Sequence, residues 1–521
     1  MKKKFVIGGI CFLIGAVAAF FGVQYVLKTG IFKVWGELKF KEEMSVPEKV
    51  WEKFSAEVGE LKFEKDVVVA YGARSQGFTE SDVQPGEVAC FGEDEADEEF
   101  RNKCMVVFVN EVFVPTADFY EPQEAITETE LQERFKAGKL TAIEELTEKQ
   151  KLLSVKYRTY TESQGEAESY NTYYYLDDFS RGAMFEAVGF LGEDRGDIEN
   201  IAEIVRGKQK TFPAKSEVLT FAQTGVTALA RGMNAKMAEV GSGEYFAEPI
   251  ATYLKKFDLT HTSNESSFSA YASSSNICSD GRFVETLTSI GLDVVELTGN
   301  HNVDCGAGDA IATYEKYQEL GIKTVGGGRN ATEAEVPLQL SQKGTSITML
   351  AYNQSTGGAT TGDYPGANQY YEENARTRIN EPKARGDFVI VDVQFNECNF
   401  YDDVNENTYC DRADSAPGDQ VGLFRGLIDM GADVVVGTSA HQTQTYERYN
   451  NGEIYYGLGN IFFDQIWWPG TTRSLGLTHY FWKGKLLQTR RFGTIYDENY
   501  QTRLMNTEEI EWFINRLNQA R

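Results

Sequence analysis

The chain has 521 residues, 41% of them hydrophobic, and a formal net charge of −27 at pH 7. This length exceeds that of an ordinary single domain, so we expect two or three domains, each with a sizeable core. The acidic balance argues against binding to nucleic acid or to an anionic membrane surface, because both require basic patches. No nucleic-acid partner is therefore expected.

The N-terminal segment predicts a membrane anchor. Lysines at positions 2–4 precede Phe5–Leu27, in which Gln24 is the only strongly polar residue. As a helix this segment would rise about 34 Å, enough to cross the bilayer. Because basic residues stay cytoplasmic, the segment predicts a single-pass protein of the cell membrane with a cytoplasmic N-terminus and an extracytoplasmic bulk. A cleaved signal peptide is the alternative, since Ala16-Val17-Ala18 is similar to a cleavage site.

Cysteine usage agrees with an extracytoplasmic location. Six cysteines follow the apolar segment, and six cysteines permit fifteen pairings. Pairing between sequence neighbours would form Cys90–Cys104, Cys278–Cys305 and Cys398–Cys410. Metal binding by thiolates is the alternative, but the chain has no Cys-x-x-Cys spacing, so we expect disulfides in an oxidising compartment.

The order of elements predicts two globular domains after the anchor. We assign residues 1–30 to the transmembrane anchor and 31–65 to a stalk. A small α+β domain at 66–212 opens with the apolar run Asp66–Tyr71, and a capping box of Thr127 and Glu130 introduces its helix. From 216 to 500, short apolar runs alternate with helical periods, which is typical of a layered α/β domain. Residues 501–521 are predicted as a C-terminal helix.

Two polar stretches follow apolar runs that are typical of buried parallel strands. Asn300-His301 follows Leu292–Leu297, and His441 follows Ala432–Val436. In open α/β sheets, ligands bind at the carboxyl ends of the strands. The sequence therefore predicts that these side chains converge on one site. Asn, His and Glu at such a site are suitable metal ligands.

The segment from about 217 to 465 resembles the CapA family, the poly-γ-glutamate capsule-synthesis proteins related to calcineurin-like metallophosphatases. The matching stretches, in order, are Val294–Gly306, Gly321–Asn330, Gly431–His441 and Ile454–Asp464. The resemblance implies a layered metallophosphatase-like α/β sandwich, here preceded by the transmembrane helix and the smaller α+β domain. It also implies a role in making or exporting an anionic cell-surface polymer, with that polymer, its synthase proteins and the membrane bilayer as partners.

Three positions depart from the family pattern. Val226 stands where the family has Asp, Gln394 where it has His, and Ser439 where its His-Pro-His motif begins. A two-metal centre needs anionic ligands to offset two dipositive ions, so these departures disfavour such a centre. Two alternatives remain: a site with a single divalent metal (Mn, Zn or Fe), and a site with no cofactor. The sequence does not decide between a catalytic and a non-catalytic protein.

The resemblance nevertheless implies a set of site residues. The remaining metal ligands would be Glu265, Asn300 and His441, and the catalytic pair would be His301 as general acid with Asp304. Each histidine has a structural alternative: His301 as a hydrogen-bond partner of Asp304, and His441 as a satisfied loop residue.

Two further residues are candidates for ligand binding. Arg231, in the loop after the first strand of the 216–500 domain, is the best candidate to contact an anionic ligand, or it pairs with a carboxylate of the chain. Asn460 lies within the last matching stretch.

The sequence therefore leads to three hypotheses for the function. The first is a membrane-anchored CapA-like protein of capsule or poly-γ-glutamate synthesis or export, with a partly degenerate metal site. The second is a mononuclear metal-dependent phosphoesterase or hydrolase. The third is an anchored solute or anion receptor, because the order of strand, loop and helix in 66–212 resembles half of a periplasmic phosphate-binding-protein lobe.

Overall fold

The computed structural model describes residues 68–75, 88–90, 92, 102–121, 123, 125–142, 145–146, 150–156, 184–206, 215–354, 357–395 and 419–519. The chain forms two compact units. Unit 1 comprises Met1–Asp118 and Ala125–Lys215, and unit 2 comprises Phe119–Glu124 and Ser216–Arg521. The predicted stalk and the Cys398–Cys410 pair fall outside the described residues.

The predicted localisation, a single-pass protein of the cell membrane, is wrong. Among the described residues, no helix is long and apolar enough to cross a membrane. The C-terminal helix Thr507–Gln519, for example, has 13 residues and rises about 20 Å, against a hydrocarbon core of about 30 Å. This finding contradicts the prediction of a single-pass membrane protein. The segment Phe5–Leu27, on which that prediction depended, lies outside the described residues.

Unit 1 is built on an antiparallel sheet. Its strands are β1 Val68–Ser75, β2 Val88–Cys90, β3 Cys104–Val114, β4 Thr116–Asp118, β5 Ala125–Thr127, β6 Thr141–Ala142, β7 Gln150–Leu152, β8 Ser154–Lys156 and β9 Met184–Gly192; its helices are α1 Glu128–Lys136 and α2 Arg195–Arg206. The sheet order is β1-β9-β3-β2, with β6 paired to β3. Helix α1 begins at the predicted capping box, because Glu130 N donates to Thr127 Oγ1 at 3.2 Å and Thr127 N donates to Glu130 Oε2 at 2.7 Å.

Unit 2 contains the α/β part of the chain. Its strands are β10 Leu219–Thr227, β11 Leu259–Asn264, β12 Val294–Glu296, β13 Lys323–Val325, β14 Gly327–Gly328, β15 Leu338–Gln342, β16 Thr345–Asn353, β17 Gly366–Ala367, β18 Phe388–Gln394, β19 Val434–Gly437, β20 Tyr446–Tyr449, β21 Gly452–Tyr455, β22 Asn460–Phe462, β23 Arg473–Trp482, β24 Lys485–Tyr496 and β25 Thr502–Leu504. Its helices are α3 Gly232–Val240, α4 Glu244–Leu254, α5 Val284–Ser289, α6 Ala307–Glu319, α7 Ala331–Ala334, α8 Glu372–Arg385, α9 Gln420–Asp429 and α10 Thr507–Gln519.

Apart from β14 and β17, which pair with each other, these strands form two mixed sheets. The first has the order β13-β12-β11-β10-β23-β24-β25, with β22 also paired to β10, and the second has the order β15-β16-β18-β19-β21-β20. Strands β10 to β13 are mutually parallel, as are β16, β18, β19 and β21. All parallel neighbours in a sheet therefore end at the same edge.

The core of unit 2 lies between the two sheets. Phe221 and Val294 of the first sheet join Ile390 and Val434 of the second in one buried cluster. Side chains on the other face of the second sheet pack with helices α8 and α9 through residues such as Phe424. This layering of helices and sheets confirms the predicted mixed α/β class.

Two disulfides join cysteines that are neighbours in sequence. The Cys90–Cys104 bond lies in unit 1, where both residues belong to the paired strands β2 and β3. The Cys278–Cys305 bond, across a sequence separation of 27, lies in unit 2. It links the loop after β11 to the loop after β12, and these loops contain the candidate site residues Glu265 and Asn300.

Candidate functional site

Three strand ends bring candidate residues together at the carboxyl edges of the sheets. Glu265 directly follows β11, Asn300 lies in the loop after β12, and Gln394 is the last residue of β18. Backbone pairing holds the first of these in place, since Glu265 N donates to Thr227 O at 2.9 Å. The edge of the first sheet thus meets the edge of the second through side chains that are distant in sequence.

Gln394 connects the other two residues. Its Nε2 donates to Glu265 Oε1 at 3.2 Å and to Asn300 Oδ1 at 3.1 Å. Glu265 is 1% exposed and Gln394 is fully buried. We call Glu265, Asn300 and Gln394 the edge cluster. Two residues predicted as metal ligands therefore lie together, but a neutral amide donor joins their oxygen atoms.

His441 and Asn460 form a second contact pair. His441 Nδ1 lies 2.9 Å from Asn460 Oδ1, and its ring stacks on Phe463 with the centroids 5.0 Å apart. Asn460 Nδ2 donates to Gln465 Oε1 at 3.1 Å. Because the amide nitrogen is thus engaged, Asn460 presents its oxygen to the histidine, which makes Nδ1 the protonated ring nitrogen.

Arg231 belongs to the same neighbourhood. Its guanidinium lies 4.7 Å from the centroid of the Phe463 ring and makes a 2.6 Å ion pair with Asp464. Asp464 also accepts a hydrogen bond from Gly232 N at 3.0 Å, which holds the start of α3. The predicted anion-binding arginine is therefore paired with a carboxylate of the chain, as its alternative interpretation proposed.

His301 and Asp304 form a partly exposed pair. His301 Nδ1 lies 2.6 Å from Asp304 Oδ2, and the two side chains are 28% and 42% exposed. The predicted catalytic residues therefore contact each other, in the geometry of the structural alternative. A histidine oriented in this way by a carboxylate is also suited to proton transfer.

Two of the positions at which this chain departs from the family pattern are also buried. Val226 on β10 is fully buried, and Ser439 in the loop after β19 is 2% exposed. Next to Val226, a Cβ atom on Gly225 would lie 2.1 Å from the carbonyl oxygen of Gly459. Only glycine permits this approach of the Leu458–Gly459 backbone to β10.

A second polar group lies deeper between the sheets. His261 Nε2 is 3.1 Å from Asp392 Oδ2, and Gln223 Nε2 donates to Asp392 Oδ1 at 2.5 Å. Gln223 Oε1 lies 3.2 Å from Nε2 of His479. All four side chains are fully buried, and we call them the core cluster. Gln223, His261 and His479 belong to the first sheet and Asp392 to the second, so the contacts of Asp392 join the two sheets.

A further buried carboxylate, Glu296, adjoins the core cluster. Its Oε1 accepts hydrogen bonds from the backbone and hydroxyl groups of Thr298. Burial, followed by the charge of Asp392, raises the pKa of Glu296 to about 7. Burial also lowers the pKa of His479 to about 4, so this imidazole is neutral near pH 7.

The contacts of the core cluster were not predicted from the sequence. A signal was present: Asp392 and Glu296 are carboxylates within the apolar runs Phe388–Gln394 and Leu292–Leu297. Such residues are almost never fully buried without a partner, so each predicts a polar contact inside the core. Alternation within a strand also relates the two clusters, because Asp392 and Gln394 are two residues apart and face the same side of β18.

The donor set does not match a metal centre. Across the described part of the chain, no group of three or more His, Cys, Asp or Glu residues is arranged to hold a metal ion. In the edge cluster, Glu265 is accompanied by two amides, and the Gln394 nitrogen donates to both predicted ligand oxygens. A cation between those oxygens would have to displace this donor.

Comparison with known proteins identifies related sequences. Residues 220–465 match the sequence model of the family described as bacterial capsule synthesis protein PGA_cap. The capsule biosynthesis protein CapA of Bacillus anthracis is 23% identical over 268 residues, which cover 49% of this chain and 62% of the relative. The PGA biosynthesis protein CapA of Bacillus subtilis (strain 168) is 27% identical over 201 residues, which cover 38% of this chain and 49% of the relative.

The matched regions are partial, since the alignments span between 49% and 62% of the relatives' own length. Among solved structures, the crystal structure of TT1561 of Thermus thermophilus is similar at a TM-score of 0.28 and 8% identity. That match covers 56% of this chain and 99% of the other. Similarity at this level supports no conclusion about fold or function.

Proposed function

We propose that this chain, a divergent member of the CapA family of bacterial capsule synthesis proteins through residues 220–465, acts in the synthesis or export of a capsular polymer such as poly-γ-glutamate. The names of both relatives support this role, because each is described as a biosynthesis protein for capsule or PGA. We further propose that the two facing sheets of unit 2 are a metallophosphatase-like sandwich whose carboxyl edge binds the polymer or its synthase proteins.

We propose binding rather than metal-dependent hydrolysis. The observation that supports this is the position of Gln394 Nε2, which donates to both Glu265 and Asn300. The two hydrogens of the amide nitrogen contact both oxygen atoms, as a bound cation would, but the amide carries no charge. Because the substituted centre is closed by neutral hydrogen bonds, no step of the proposed function requires a metal.

In this proposal, His301 and Asp304 contact the bound polymer from the rim of the cleft. Their partial exposure supports contact with a ligand from solvent. The ion pair of Arg231 with Asp464 would hold the start of α3 in place beside the His441 neighbourhood, so Arg231 positions the rim rather than binding an anion itself.

Metal content tests the substituted centre. The full chain is purified without chelator, and bound Mn, Zn and Fe are measured by mass spectrometry in the wild type and in Glu265→Gln. We expect far less than one equivalent of any of the three metals in both proteins. One equivalent that disappears in Glu265→Gln would overturn the binding proposal in favour of a mononuclear metallohydrolase.

Polymer binding tests the role itself. The full chain is titrated with poly-γ-glutamate, with uncharged dextran as the control polymer. A protein with a net charge of −27 repels a polyanion, and this repulsion weakens as salt is added. We therefore expect saturable binding that persists or strengthens with salt. The absence of binding at any salt concentration would contradict a direct role in polymer handling.

A further inference from the structure

Three buried polar atoms at the carboxyl edge of the second sheet have no hydrogen-bond partner among the described residues. They are Gln394 Oε1, Thr438 Oγ1 and Ser439 Oγ. The three residues are 0%, 1% and 2% exposed. Buried polar side chains in native proteins are nearly always paired, and an unpaired one costs about 1–3 kcal/mol. Three such atoms at neighbouring strand ends leave hydrogen-bonding capacity that a ligand can use.

The three atoms belong to adjacent strand ends. Gln394 is the last residue of β18, and the pair Thr438-Ser439 follows the parallel strand β19. The register pairs Val393 with Gly437, and Thr438 N donates to Val393 O at 3.0 Å. Neighbouring strands lie about 4.8 Å apart, so one small group can reach both strand ends.

These atoms are suited to a ligand that donates hydrogen bonds. Gln394 Nε2 already donates to Glu265 and Asn300, so the atom that this amide can offer to a ligand is its oxygen, which only accepts. Hydroxyl groups can also accept. The nearby carboxylate of Glu265 repels anions and attracts cations. A primary ammonium group carries three donors and a positive charge, which matches three acceptor oxygens beside a carboxylate.

We propose that the cleft at the carboxyl ends of β18 and β19 binds a primary ammonium group through Gln394 Oε1, Thr438 Oγ1 and Ser439 Oγ. This inference deepens the proposed function and rests on it. It identifies the amino end of an amine-bearing polymer, rather than the anionic interior of that polymer, as the part that the cleft recognises.

The test uses methylammonium chloride as the probe. Thermal unfolding of the full chain is followed in methylammonium chloride, sodium chloride and sodium acetate at equal ionic strength. A ligand that binds only the folded state raises the unfolding midpoint. We expect methylammonium to raise the midpoint above that in sodium chloride, and acetate to leave it unchanged.

A serine pair supplies the matched variants. Ser439→Ala removes a hydroxyl that has no partner among the described residues, so its unfolding midpoint in sodium chloride should equal or exceed that of the wild type. The methylammonium effect should fall by at least half in Ser439→Ala. It should persist in Ser341→Ala, which changes an exposed serine on β15.

Each outcome decides the inference. A larger effect of acetate than of methylammonium, an equal methylammonium effect in wild type and Ser439→Ala, or no effect of methylammonium would overturn it. Because poly-γ-glutamate binding is measured separately, binding of that polymer together with no response to methylammonium would overturn this inference and leave the proposed function standing.

Discussion

The edge cluster and the core cluster each include a residue of β18 and a residue on or directly after β11, but they differ in chemistry. In the core cluster, ionisable side chains are fully buried, and His261 and Gln223 both contact Asp392. In the edge cluster, amides surround Glu265, and Gln394 keeps an acceptor without a partner among the described residues. The contacts between ionisable side chains therefore lie inside the core, and the unpartnered neutral acceptor lies at the edge of the sheet.

This contrast explains why a histidine and a carboxylate in one fold do not by themselves indicate catalysis. A buried contact between His261 and Asp392, surrounded by packed side chains, joins the two sheets and leaves no room for a reacting group between them. A sheet edge with unsatisfied neutral acceptors is better suited to recognition. We expect the core cluster to determine stability and the edge cluster to determine binding.

The largest expected effect is in the core cluster. Asp392→Ala removes the acceptor of Gln223 and the carboxylate next to His261 inside the protein, and breaking a buried pair in this way costs about 3 to 5 kcal/mol. Urea unfolding of the full chain measures the loss of unfolding free energy. Asp363→Ala, at an exposed position, is the control and should change stability by less than about 0.5 kcal/mol. A cost for Asp392→Ala no larger than the control would show that the core cluster is not structural.

The next effect concerns the loops that carry the edge cluster. The Cys278–Cys305 disulfide closes a loop with a sequence separation of 27, for which the chain-entropy relation gives about 3.5 kcal/mol. Unlike the core cluster, the edge loops would thus depend on a covalent link. Replacing both cysteines with alanine should lower the urea midpoint by a corresponding amount and reduce polymer binding. Unchanged polymer binding in a folded double variant would mean that the link has no part in positioning the edge.

A pH series separates the ionisable groups of the core. The folded-state pKa of Glu296, about 7, exceeds its ordinary value of 4.5, first because of burial and then because of Asp392. Its contribution to stability is therefore fully present below pH 4.5 and is lost as pH rises through 7. Relative to wild type, Glu296→Gln should gain on the order of 3 kcal/mol across this window, judged from the shift of 4.5 to about 7.

For His479→Gln we expect the opposite dependence of stability on pH. Burial lowers the pKa of His479 from 6.5 to about 4, so its contribution is present above pH 6.5 and is lost as pH falls through 4. The His479→Gln variant should therefore gain stability over wild type on acidification, whereas Glu296→Gln gains on alkalinisation. Denaturant unfolding at several pH values measures both differences, and the same sign for the two variants would refute this assignment.

The smallest stability effect is expected at the edge. Gln394→Leu removes the donor to Glu265 and Asn300, which leaves a carboxylate at 1% exposure with one fewer hydrogen bond. We expect a loss of about 1 to 2 kcal/mol in unfolding free energy and a clear loss of polymer binding. Gln339→Leu, at an exposed position of β15, controls for the change of side chain. A loss as large as that of Asp392→Ala would remove the distinction between the two clusters.

Local patterns in the sequence were sufficient for several elements. The apolar run Leu292–Leu297 contains β12, and the run Ala432–Val436 overlaps β19. The spacing of Thr127 and Glu130 located the start of α1. These features depend on residues that are close in the chain, where periodicity, turn chemistry and capping act directly.

By itself, the sequence determined the α/β class, the polar residues that follow the parallel strands and the relation to capsule synthesis proteins. Only the tertiary structure decided which side chains meet. Gln394 and Glu265 are separated by 129 positions and Gln223 and Asp392 by 169, so no local pattern encodes these contacts. They follow from the way two sheets pack face to face, which places alternate side chains of one strand against those of a distant strand. That packing put the ionisable groups in the core and neutral amides at the edge.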